Sequence, residues 1–162
     1  MKKQNGFTII ELLIVIAITT ILLGLSTMNL FSAKYKASLN STVTMLIADL
    51  RSQQLKAMVG DTEGSAATNP GYNGIYFDTK QYIIFHGQSY SVSTTDNFAV
   101  PLEGDLTFVN AGTSIIFSKV SGELYDSSVT SFTIQLKNTA SGELKYIKIN
   151  KLGVVNAVTA TP

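Results

Sequence analysis

The sequence predicts an α+β fold, a long N-terminal helix packed on a C-terminal antiparallel β-sheet domain, and three observations carry that reading. From Leu12 to Ala33 the chain has no charged residue, and about 20 apolar residues in a helix cross a bilayer core of about 30 Å. Leu39, Val43, Leu46, Ile47 and Leu50 then recur at three- and four-residue steps, which puts them on one helix face. Beyond that stripe the composition turns to Ile, Val, Tyr, Phe and Thr, with turn residues at short intervals, the character of antiparallel strands.

Taken in order, residues 7–33 form the membrane run and 34–58 the amphipathic continuation. No proline or glycine separates Lys34 from Val59, so the two read as one helix of roughly fifty residues, near 75 Å at 1.5 Å per residue. Gly60 and Gly64 supply the helix stop. A polar loop over 59–74 carries Pro70 and Gly71, and 75–162 is the β-domain. Phe132, Ile134 and Leu136 alternate with Thr133 and Gln135, so one sheet face is buried and the apolar stripe of the helix is its cover. The tetrapeptide Ser-Gly-Glu-Leu occurs at Ser121–Leu124 and again at Ser141–Leu144. Similarity extends little beyond four residues, so both copies read as turns between strands.

Composition excludes several chemistries. Without cysteine there is no disulfide framework, thiolate metal site or cysteine nucleophile. The single histidine, His86 beside Gly87, reads as a surface or turn residue at a strand end, and no Gly-x-Ser-x-Gly elbow or His-Glu-x-x-His helix is present. No enzyme activity and no cofactor are expected. Asp61 and Glu63 flank Thr62 in the loop, but two carboxylates fall short of the 6–8 oxygens a hard cation takes, so no metal is assigned to them. Lys145, Lys148 and Lys151 are candidates for a phosphate-tracking stripe. On a strand, however, Lys145 and Lys151 share a face with Ile147 and Ile149 while Lys148 points the other way. From Ala57 onward six lysines meet nine carboxylates, a net −3, and DNA is not expected as a partner.

The opening stretch holds the sharpest signal. Glu11 stands near the start of the apolar run, where a carboxylate at membrane depth costs roughly 2.5–3.5 kcal/mol. A secretory signal peptide would account for Lys2 and Lys3, and loosely for Gly24-Leu25-Ser26 as a cleavage site, but not for an acid inside its apolar core. A plain membrane anchor explains the length and gives Glu11 no partner. The stretch Lys2-Lys3-Gln4-Asn5-Gly6-Phe7-Thr8-Ile9-Ile10-Glu11-Leu12 resembles the class III signal of type IV pilins and type II secretion pseudopilins.

That resemblance implies cleavage by a prepilin peptidase between Gly6 and Phe7, removing 1–6 as a leader. It further implies N-methylation of Phe7, and pairing of Glu11 with the amine of a neighbouring subunit during filament assembly. An amine beside a carboxylate relieves the burial cost of both. The segments around residues 114–124 and 132–155, together with Leu46–Met58, are similar to the H-type minor pseudopilins. The sequence departs from that group in Leu50-Arg51, where it usually has Ala-Arg, and from many major pilins in Met28, where they carry proline, and in lacking their C-terminal cysteine pair.

The implied function is a structural subunit, pilin or minor pseudopilin, of a type II secretion or type IV pilus filament. Its partners would be other such subunits, the peptidase, an inner-membrane assembly platform and membrane lipid. The implied location is the cytoplasmic membrane, single-pass, with the C-terminal domain outside the cytoplasm, and a periplasmic or cell-surface filament after assembly. Lys2 and Lys3 before the run nearly balance Lys34 and Lys36 after it, so orientation follows from the signal rather than from charge. The alternative is a membrane-anchored β-domain that binds a ligand or cell-wall component and does not assemble.

Overall fold

The computed structural model describes residues 6–61 and 71–158, and the chain divides into two compact units, Met1–Lys36 and Ala37–Pro162. From Ile9 onward the first unit is the N-terminal stretch of a single helix, α1 (Ile9–Val59). Its large apolar side chains from Ile9 to Leu25, with Leu30 and Phe31, are exposed. Thr19 and Thr20, two of the polar residues in the run, return their hydroxyls to the carbonyls of Val15 and Ile16 at 2.8 Å, so neither presents an unmet donor to an apolar surrounding. α1 is the one helix among the described residues long and apolar enough to cross a membrane, and its apolar window is wholly unburied.

The second unit is built around the remainder of α1 and two four-stranded antiparallel sheets. Sheet A has the order β3-β2-β1-β5, from β1 (Asn73–Phe77), β2 (Gln81–His86), β3 (Phe98–Pro101) and β5 (Thr113–Phe117). Sheet B has the order β4-β6-β7-β8, from β4 (Leu106–Phe108), β6 (Ser131–Asn138), β7 (Leu144–Asn150) and β8 (Val155–Val158). The structure has the expected α+β fold, a long helix with an antiparallel β-domain, and that domain is divided into two sheets. The short β4 crosses between them, since Phe108 donates its N–H to the Thr79 carbonyl while pairing with Leu136.

Leu39, Val43, Leu46 and Leu50 are buried on the helix side of the core, with Ile47 at its margin. The stripe continues through Gln53 and Ala57 at the same spacing. Sheet A contributes Ile75 and Phe77, sheet B Ile134, Leu136 and Ile147. The two sheets meet where the rings of Phe77 and Phe108 lie edge to face, 5.1 Å apart, a favourable aromatic geometry. Tyr82 of β2 is buried, and its hydroxyl donates to the carboxylate of Asp49 on α1. That bond ties helix to sheet A, and burial, then the carboxylate, pushes the phenol well above its ordinary range.

The C-terminus of α1 is closed by a Schellman motif. Gly60, at φ +72°, donates to the Ala57 carbonyl at 3.2 Å and Asp61 to that of Lys56 at 2.9 Å. Gln54 fastens the same end to two loops, its amide nitrogen donating to the carbonyls of Gly122 at 2.9 Å and Leu152 at 3.1 Å. A Cβ on Gly153 would lie 2.2 Å from that nitrogen, so glycine is required there by space as well as by its φ of +80°.

Candidate processing and assembly site

Phe7 lies just outside α1, its side chain 88 % exposed, and Gly6 before it has open space around its α-carbon. Neither belongs to an element, so the peptide between them lies outside the helix. Lys2, Lys3 and the rest of the basic segment lie outside the described residues, as does the side chain of Met28.

Thr8 is the N-cap of the helix. Its hydroxyl accepts the Glu11 N–H at 3.3 Å, and its carbonyl accepts the Leu12 N–H at 3.2 Å, which satisfies one of the orphan donors of the first turn. The same hydroxyl lies 3.5 Å from Glu11 Oε2 and donates to it. Thr8-Ile9-Ile10-Glu11 is thus a capping-box sequence, with threonine at the cap and glutamate three residues on. Glu11 occupies the first turn, where the helix dipole favours a negative charge. The carboxylate is therefore anchored locally and still exposed. Sequence reasoning missed Thr8, although the Thr-x-x-Glu pattern that marks it was present.

The other candidate residues are not brought together. Asp61 is exposed at the helix end, where its N–H closes the Schellman motif and its carbonyl accepts the Asn73 amide at 3.1 Å. Glu63 lies outside the described residues. Among the described residues no three His, Cys, Asp or Glu side chains cluster as metal ligands would. Lys145 is half-buried on β7, Lys148 is exposed on the opposite face, and Lys151 is exposed in the turn after the strand. The lysines therefore make no stripe, and Lys151 is not a strand residue at all.

His86 corrects its expected surface position. It ends β2 but is buried, and its Nδ1 makes a 2.5 Å hydrogen bond with Oδ1 of the fully buried Asn73. Asn73 pairs with it directly across the β1–β2 ladder and also holds the Asp61 carbonyl. The histidine thus belongs to the polar bracing under the C-terminus of α1, with its side chain satisfied rather than solvated.

Comparison with known proteins agrees with the N-terminal geometry. No curated relative and no solved structure matches the chain. Residues 1–27 match the family model described as the prokaryotic N-terminal methylation motif, so this segment carries a type IV pilin-like prepilin signal, joined to one long apolar helix.

Proposed function

We propose that this chain is a filament subunit of the pilin or minor pseudopilin kind, with a structural and not a catalytic role. The carrying observation is the methylation motif over residues 1–27 directly continuous with an unburied apolar helix. In this reading a prepilin peptidase cuts between Gly6 and Phe7, Phe7 is N-methylated, and α1 holds the subunit in the cytoplasmic membrane with the β-domain outside the cytoplasm. An assembly platform then draws it into a filament through stacking of residues 7–33. Glu11 receives the amine of a neighbouring Phe7, since a cation and a carboxylate each lose less on leaving lipid together than alone. The resemblance of the helix end and late strands favours a minor pseudopilin of a type II secretion machine, with a type IV pilin next.

Co-expression with a prepilin peptidase and intact mass measurement tests the processing step. The expected product lacks Met1–Gly6 and carries one added methyl group on Phe7. Retention of Lys2 and Lys3 overturns the reading in favour of an uncleaved anchor.

A further inference from the structure

A cleft of about 660 Å³ opens beside β5, with Ser114, Ile116, Tyr125, Asp126, Val129 and Phe132 in its lining. β5 is an edge strand of sheet A, paired on its inner side with β1. On its outer side Tyr125 donates to the Ile116 carbonyl and Ser118 to the Glu123 carbonyl, both at 2.8 Å, around a single bridge between Phe117 and Leu124. These bonds fix the parity of the edge: the backbone groups of Ile116 and, by alternation, Ser114 point outward. The chain then turns away at Asp126–Ser128, so the first half of the edge is left open. The N–H of Ile116 and both backbone groups of Ser114 have no partner among the described residues.

The opposite edge of sheet A is defended differently. β3 ends in Pro101, whereas Thr-Ser-Ile-Ile-Phe of β5 contains neither proline nor lysine, the usual means of blunting an edge. In the same lining, Val129 and Phe132 offer half-buried apolar surface. Among the described residues the only charged one in the lining is Asp126, whose carboxylate accepts the Ser128 N–H at 3.0 Å and hydroxyl at 2.6 Å. Those two bonds hold its pKa below the ordinary carboxylate value, so it stays an ionised acceptor.

We propose that this cleft binds an extended peptide segment bearing a basic side chain, added as a further strand on the β5 edge. Ser114 supplies a main-chain donor and acceptor beyond the position Tyr125 already occupies opposite Ile116, Val129 and Phe132 take an apolar side chain, and Asp126 selects the cation. The segment from Leu124 to Tyr125 already occupies the strand position at the other end of the same edge, so an incoming strand extends an existing line. The proposal is independent of filament assembly, and its failure leaves the processing signal untouched.

The test uses the full chain in detergent micelles and a fluorescein-labelled Thr-Val-Lys-Val-Thr peptide, read by anisotropy. Saturable binding is expected, weakened at least tenfold when glutamate replaces the peptide lysine. Asp126→Asn is expected to erase that discrimination. Ser114→Pro removes an outward N–H without touching any bond to β1 and is expected to weaken binding at least tenfold, with the thermal midpoint held as a check on folding. If Ser114→Pro disturbs the fold, the exposed Asp126→Asn decides alone. Absence of saturable binding, equal affinity for the lysine and glutamate peptides, or an affinity unmoved by the intact variants overturns the proposal. So does binding of an N-acetylglucosamine oligomer in place of the peptide.

Discussion

The backbone N–H of Val120 donates to the carbonyl of Ala57 at 3.0 Å, and Val120 is the only described residue other than glycine with a positive φ, at +72°. A β-branched residue in that region is under steric strain worth roughly 1–2 kcal/mol. The cause is visible in the second Ser-Gly-Glu-Leu loop. Both loops close alike, Gly122 donating to the Ser118 carbonyl at 2.9 Å and Gly142 to that of Asn138 at 2.8 Å. In the second, the Asn138 side chain accepts the N–H of Ala140 at 2.9 Å. The first loop has Ser118 at that place, and the Val120 N–H is instead drawn to the end of α1. Val120→Asn, which tolerates the left-handed region, is therefore expected to raise stability by about 1 kcal/mol. Ala140→Asn, where φ is not positive, is expected to give no gain. Denaturant midpoints of a chain beginning at Ala33 compare the two.

Helix and sheet depend on each other for their buried surface. Leu46 is fully buried, and Leu46→Ala is expected to cost on the order of 2–5 kcal/mol. A chain beginning at Ala33 is expected to be soluble and to unfold cooperatively, while one beginning at Gly60 exposes the inner faces of both sheets and aggregates. Comparable solubility and cooperativity of the two truncations would remove α1 from the core.

Alkaline pH probes the Tyr82–Asp49 bond. The phenol is held protonated in the folded chain by burial and by the carboxylate, whereas the unfolded chain releases the proton near pH 10. Below that pH the contribution is complete. Above it the unfolded state binds fewer protons, so stability falls as pH rises, by up to about 1.4 kcal/mol per pH unit for this group. Tyr82→Phe is expected to flatten that decline and to cost about 1–3 kcal/mol near neutral pH, where Asp49 loses its donor. Unfolding midpoints between pH 7 and 11 for both chains give the comparison.

These contacts also show where sequence reasoning reached its limit. The helix stripe was readable because Leu39, Val43, Leu46 and Leu50 keep the helical period, and Ile134 and Leu136 of β6 keep a period of two. What escaped depends on partners distant in sequence. His86 is buried because β1 sets Asn73 across from it, and Val120 is strained because Ala57 lies at the end of α1. The short β4, three residues long, gave too little periodicity to divide one sheet into two. Only Thr8 was legible and unread, since both halves of its capping box lie within four residues.

The capping box supplies the sharpest experiment on Glu11, because it gives the carboxylate a purely local role that competes with pairing across subunits. Glu11→Gln keeps a capping-box residue at the third helical position and removes only the charge. Thr8→Val keeps the charge and removes the cap, at a cost of about 1 kcal/mol to the helix start. If Glu11 receives the amine of a neighbouring Phe7, Glu11→Gln leaves membrane insertion intact or improved. Assembly then fails, since one side of a buried ion pair is lost at roughly 3–5 kcal/mol. Thr8→Val is expected to be the milder of the two. Equal and mild effects would instead mark Glu11 as a helix-end residue only. Membrane fractionation reports insertion, and recovery in sheared filaments beside a major subunit reports assembly. An outcome in which Glu11→Gln inserts and still assembles normally within the shaft removes the pairing role, whereas tolerance confined to the filament tip, where no subunit precedes this one, places the chain among subunits that initiate assembly.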